Sequence, residues 1–251
     1  IVPVGSTEQH GPHLSLKLDI FLATEIAKEA AKRAMKDVKP IVAPPIAYGI
    51  SESPGFSEYP QVSLTPATFL SVCKDVAKSL IRQGFKKILF LNGHGGNSGM
   101  LDQAINEVTS ETGALCIIAH WWYLIAKEIN QIVETEGGVW GHAAEIETSL
   151  AWALGMKIRP VGEEAKWIPR IQPEFQDYLL PLFAPKIPVT IPWLSYPKIA
   201  LKFWPGPDEA PGTLGDPSKA SKEKGEKLLE PLYEKLVELL RRLKTIKVTL
   251  K

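Results

Sequence analysis

The chain has only two cysteines, Cys73 and Cys116, and both sit inside apolar stretches. That is too few for a disulfide framework or a thiolate zinc site, and it fits small core residues in a reducing, cytoplasmic compartment. Neither sign of charge dominates: 29 Lys and Arg stand against 28 Asp and Glu, a formal net charge of +1, with lysines scattered among glutamates. Nucleic acid and anionic membrane are poor matches for such a surface. No apolar run approaches membrane length, and no signal-peptide pattern or internal repeat is visible. What is present is 45% hydrophobic residues over 251 positions, enough to bury a large core as one domain, 1–251. Ile1 already lies in a strand pattern, so a few residues are expected upstream of it.

Ile1–Val4 reads as the end of a buried strand, and "IFLATEIAKEAAKRAMK" as an amphipathic helix behind Asp19. "KPIVAPPIAYG" is expected to be a second strand, followed by a Ser/Pro/Gly loop from Ser51 to Pro60. Thr65-Pro66 opens a helix that Gly84 stops. "KKILFLN" and "ALCIIAH" are short continuous apolar runs of the kind buried on both faces of a parallel sheet, with a helix from about Ser98 to Thr112 between them. "WYLIAKEINQIVETEGG" and "GHAAEIETSLAWALG" are again helical. The alternation predicts a three-layer α/β/α fold with a mainly parallel sheet. Between Gly155 and Pro217 the pattern breaks, with 12 of the 21 prolines and aromatics that include Trp167, Tyr178, Trp193 and Trp204. This stretch is expected to cover the site's mouth or to meet a neighbouring subunit. Asp216 and Pro217 then cap a C-terminal helix, 218–244.

Functional groups in such sheets collect at the carboxyl ends of strands. Glu8, His10 and Asp19 follow the first strand, His94 follows "KILFLN", and His142, Glu145 and Glu147 open a later helix. Glu8 and His10 are two apart, so an extended segment turns both to one side. Imidazoles with carboxylates suit zinc, manganese or iron, and several carboxylates beside few imidazoles favour two ions sharing an aspartate. Other roles stay open: Asp19 as an N-cap, His13 as a structural or supporting histidine, and Glu147 as a solvated charge. "GHGGN" could also cradle a phosphate at a helix N-terminus, and His120 fits core, pocket wall or support.

"VPVGSTEQHGPHL" with Asp19, then "NGHGGN", "GHAAEIETS" and "PGTLGDPSKASKEKGE", resembles the creatininase (creatinine amidohydrolase) family, motif by motif and in order, from Ile1 to about Leu229. The resemblance implies a metal-dependent amidohydrolase that cleaves a non-peptide C–N bond, a cyclic amide or a formamide, in a homo-oligomer, a hexamer by that likeness. Glu8 and His94 would hold one divalent ion, His10 the other, and Asp19 would bridge them. His142 would be the general acid/base. A formamidopyrimidine-nucleotide deformylase of the archaeal type, a peptidase or a non-catalytic phosphate-binding module are the alternatives.

The chain departs from the creatininase pattern in places. Creatininase has a glutamate ligand where this chain has Gly96, and a tryptophan over its substrate where this chain has Gly138. It also has "HLPL" in place of "HLSL". Creatinine is therefore not the expected substrate. Glu145 takes the place of an apolar residue, and a three-residue helical step would put it on the face of His142. Glu145 is thus the expected fifth protein ligand, with Glu147 in support.

Overall fold

The computed structural model describes residues 1–51, 59–136, 140–168 and 211–251. Its sheet is parallel, in the order β1 (Val2–Val4), β4 (Lys87–Asn92), β5 (Leu115–His120). A short antiparallel pair, β2 (Thr7–Glu8) with β3 (Gln61–Val62), stands apart from it. Around the sheet lie α1 (Leu18–Arg33), α2 (Pro66–Arg82), α3 (Ser98–Thr112), α4 (Trp121–Leu124), α5 (Ala126–Ile132), α6 (Glu145–Ala153) and α7 (Lys222–Thr245).

Alternation along β4 sorts the two cores. Leu89 and Leu91 face a core shared with α1, α6 and α7, including Leu22, Ile26, Ile146, Leu150, Leu232 and Leu236. Ile88 and Phe90 face the other, with Phe69, Cys73 and Ala77 of α2 and Leu101, Ala104 and Val108 of α3. Strands buried on both faces between two helical layers make an α/β/α sandwich, as the continuous apolar runs predict. Both cysteines are free and belong to the second core, where burial pushes the Cys73 thiol up to about 12. Among the described residues, no helix is long and apolar enough to cross a membrane.

Local signals hold where capping chemistry is explicit. Thr65 Oγ1 accepts from the Thr68 N–H at the start of α2, and Gly113 ends α3 at φ +75°. Three expectations change. The segment "KPIVAPPIAYG" forms no strand; it runs beside β1 through one parallel bridge, Val4 to Ile46. Pro44 and Pro45 have no N–H to give a ladder. The helix expected over 122–138 is interrupted at Ile125 (φ −120°), and residues 137–139 lie outside the described residues. At the C-terminus Asp216 caps only the single turn Pro217–Lys219, and Ser221 caps α7 itself. Most of the proline-rich stretch, 169–210, also lies outside the described residues.

Two glycines set the depth of α1 against the sheet. A methyl at Gly5 would come within 2.5 Å of the Ile20 nitrogen, and one at Gly93 would overlap the Asp19 carbonyl oxygen. The backbone of Asp19 thus sits directly on the carboxyl ends of β1 and β4. Gly93→Ala is expected to cost about 1–3 kcal/mol by overpacking. Gly95→Ala, where nothing lies within 4 Å, should cost far less. Denaturant unfolding of the two variants checks this, and equal losses would refute it.

Candidate active site

β2 ends on Glu8 and the segment just after it carries His10, the first turn of α1 carries Asp19, and the loop after β4 carries His94. Asp19 is not the N-cap of α1; that position is Lys17, and the Asp19 carboxylate turns inward instead. Its Oδ1 lies 2.9 Å from His10 Nε2 and its Oδ2 3.1 Å from His94 Nδ1. His94 Nδ1 is also 3.1 Å from Glu8 Oε1, which lies 3.4 Å from His142 Nδ1. Glu147 Oε2 approaches His10 Nε2 at 3.9 Å, and the His10 and His142 rings stack at 4.2 Å. Among the described residues, donor atoms within 4.8 Å of one another form three groups: Glu8–Asp19–His94, His10–Asp19–Glu147 and Glu8–His10–His142.

Each imidazole is oriented by a backbone carbonyl on its other nitrogen. His10 Nδ1 meets Glu8 O at 3.0 Å, His94 Nε2 meets Ile50 O at 3.0 Å, and His142 Nε2 meets Gln9 O at 2.6 Å. A carbonyl only accepts, so in His10 and His94 those nitrogens carry the hydrogen and the others present lone pairs. In both of these rings the lone-pair nitrogen is the one facing carboxylates, whereas His142 Nε2 also meets the Gln9 side-chain Nε2, a donor, at 3.1 Å. His10 Nε2 and Asp19 Oδ2 are fully buried, yet neither makes a hydrogen bond of acceptable direction. Lone pairs aimed at carboxylate oxygens in a dry site repel unless a cation or a proton stands between them. The donor set therefore fits divalent metal.

Without metal, protons take that place. Burial pulls His10 down, but the adjacent Asp19 carboxylate outweighs it and lifts the imidazole to about 9. Burial likewise opposes charge on His94, and Glu8 and Asp19 raise it well above its usual value. Burial would raise the carboxyls too, yet His94 holds Glu8 below its ordinary value and His10 holds Asp19 at about 2. Glu147 goes the other way: burial lifts it to about 7 against the pull of His10. Burial, reinforced by the charge on His10, keeps His142 well below the usual imidazole value. His142 is thus the neutral imidazole of the group.

Glu145 is not part of it, and the sequence-based expectation is corrected. Its fully buried carboxylate accepts from the N–H groups of Glu134 and Thr135, from Thr135 Oγ1, and from Lys224 Nζ at 2.6 Å. The helical step from His142 fails because 142–144 is not helical. Ala143 is left-handed at φ +52°, a strained turn for a residue with a Cβ, and α6 begins only at Glu145. On α6 two residues turn about 200°, so Glu147 faces the site while Glu145 faces away. The Ala143 N–H holds the Glu147 carboxylate at 2.7 Å. Glu147, expected only as support, is the carboxylate that joins His10 and Asp19. A His-x-x-x-x-Glu spacing at a helix start was the available signal. At Gly96 no carboxylate could return: a Cβ there would overlap Ile50 O and come within 2.5 Å of His94 Nε2.

His13 lies outside the three groups, buried, with Nε2 2.9 Å from Thr148 Oγ1 on α6. Trp140 packs against the first core, and Gly138 lies outside the described residues.

Overlapping groups of buried imidazoles and carboxylates at the carboxyl edge of a parallel α/β sheet mark a metal-dependent hydrolase. A family model described as creatinine amidohydrolase matches residues 1–240, and the chain belongs to this creatininase family of amidohydrolases. It is 28% identical to creatinine amidohydrolase of Pseudomonas putida over 255 residues, 96% of this chain and 88% of that one. It is 36% identical to a mycofactocin precursor peptide peptidase of Mycobacterium tuberculosis over 118 residues, 44% of this chain and 46% of that one. Creatininase solved in a manganese form superposes with a TM-score of 0.71 at 25% identity, covering 98% of this chain and 91% of that chain.

Two outcomes follow from these placements. Glu145→Gln should destabilise the fold by about 3–5 kcal/mol, because Lys224 loses its buried partner, while the folded protein keeps its metal content. Glu147→Gln should stay folded and bind less metal. Unfolding curves with metal analysis of each variant check the pair, and the reverse pattern would restore Glu145 to the site. The second outcome concerns His13, which burial, aided by the charge of His10, lowers from 6.5 to about 4. Between those values the unfolded chain binds a proton that the folded chain does not, so stability falls as pH drops. The slope from this residue is about 1.4 kcal/mol per pH unit. His13→Gln should flatten the stability difference between pH 6.5 and 5, and an unchanged slope would refute the assignment.

Proposed function

We propose that this protein hydrolyses a non-peptide C–N bond of a small molecule, a cyclic amide or a formamide, with a pair of divalent ions. The observation that carries the reading is the convergence of carbonyl-oriented imidazole lone pairs on carboxylates, with Asp19 Oδ2 and His10 Nε2 left buried without a hydrogen bond. Glu8, Asp19 and His94 would hold one ion, and His10, Asp19 and Glu147 the other, with Asp19 shared. Such a pair, when bound, makes water acidic enough to attack near neutral pH and polarises the scissile carbonyl. Zinc, manganese and iron all suit the donors.

The remaining chemistry belongs to the chain. His142 is kept neutral, so its Nδ1 can accept a proton at pH 7 and return it to the departing nitrogen. Gln9 holds the ring from behind, with its backbone O 2.6 Å and its side-chain Nε2 3.1 Å from His142 Nε2. The loop at 211–216 closes beside it: the Leu214 N–H bonds to His142 O at 2.6 Å. A methyl at Gly212 would overlap Gln9 Oε1, so only glycine lets this loop approach so closely. The peptidase of M. tuberculosis favours a second reading, cleavage of a short peptide, although its alignment covers under half of this chain.

Asp19→Asn is expected to remove most bound metal and all hydrolysis while far-UV circular dichroism stays native. Wild-type protein supplied separately with zinc, manganese and iron should open small cyclic amides or release formate from formamides. Retention of both ions by Asp19→Asn, or activity of the wild type confined to peptides, would overturn the reading.

A further inference from the structure

Asn92 and His120 end β4 and β5 side by side, paired in register. Asn92 is fully buried, and its carboxamide uses every hydrogen-bonding capacity it has. Oδ1 accepts from the His94 N–H at 3.2 Å and from Asn97 Nδ2 at 3.3 Å. Nδ2 donates to His94 O at 2.7 Å and reaches His120 Nδ1 at 3.1 Å. The same amide thus grips both the N–H and the C=O of His94. An amide nitrogen only donates, so His120 Nδ1 is the bare nitrogen and its hydrogen is on Nε2. If the amide turned over, its oxygen would face the His94 carbonyl, so His94 itself sets the orientation of the amide. His120 Nδ1 takes the remaining N–H and anchors the amide to the end of β5.

We propose that His120 is a positioning residue for the metal centre: acting through Asn92, it fixes the backbone of His94 and so the aim of Nδ1 at Glu8 and Asp19. This rests on the proposed reading of the site as a metal centre. The His120 ring is itself packed against its neighbours, Trp122 tilted at 5.0 Å and Tyr123 edge-on at 5.2 Å between centroids. Groups that orient a ligand through hydrogen bonds typically change metal affinity 10- to 100-fold when removed. The effect should fall on the ion held by Glu8, Asp19 and His94, because Asn92 touches none of the other donors.

The test is competition of the full chain against a chromophoric chelator with zinc, resolving the two binding steps. His120→Phe keeps an aromatic ring but offers no acceptor, and should weaken one step by about 10-fold or more, leaving the other unchanged. His120→Gln, which can present an oxygen to Asn92, should recover part of the loss. In an Asn92→Ala background, His120→Phe should have no further effect, since the path is already cut. If His120→Phe does not fold, His120→Leu carries the same expectation. Unchanged zinc affinity, additive losses in the double variant, or a rise in KM alone would overturn the proposal. Failure of the wild type to bind zinc would instead sink the metal-centre reading, and this inference with it.

Discussion

The Asp19 carboxylate is the constraint on which the rest of the structure depends. It is buried, it faces two imidazoles, and it belongs to two of the three candidate metal-binding groups among the described residues. A carboxylate so placed must always be compensated, by protonated histidines in the metal-free protein or by cations when metal is bound. The pKa directions describe the first state: His10 and His94 are raised and Asp19 is lowered. Metal would have to displace those protons, so affinity and pH are linked at this site. The packing serves the same end. Gly5 and Gly93 let the start of α1 rest on the ends of β1 and β4, which brings Asp19 between His10 and His94.

Much of this was legible in the chain. "KILFLN" and "LCIIAH" are short, apolar throughout and separated by a helix, and they became adjacent parallel strands. Glu8, His10, Asp19, His94 and His142 could be named because their residue types make no sense as turn or core chemistry, and the fold brings them together. Glu145 misled because two facts were invisible in one dimension. One is the left-handed Ala143, which breaks the helical phase between His142 and α6. The other is Lys224, distant in sequence, whose ammonium occupies the Glu145 carboxylate. A carboxylate at a helix start reads the same whether it meets a metal or a lysine.

The segment misread as a strand shows what the motifs leave out. Pro44 and Pro45 deny the edge of the sheet a ladder, yet Ala43 and Ile46 still bond to the β1 carbonyls of Ile1 and Pro3. That ties the ribbon to β1 and delivers Ile50 to the site, where its carbonyl orients His94 and its N–H is held by Asn97 Oδ1. The Asn97 amide also donates to Gly5 O and to Asn92 Oδ1, joining three loops at one buried side chain. The Ile50 carbonyl that orients His94 thus comes from backbone pinned by the last residue of "NGHGGN", and the first residue holds His94 itself. Residue type named the candidate ligands. Their aim comes from main-chain groups that any sequence possesses, and only the fold decides which of those point inward.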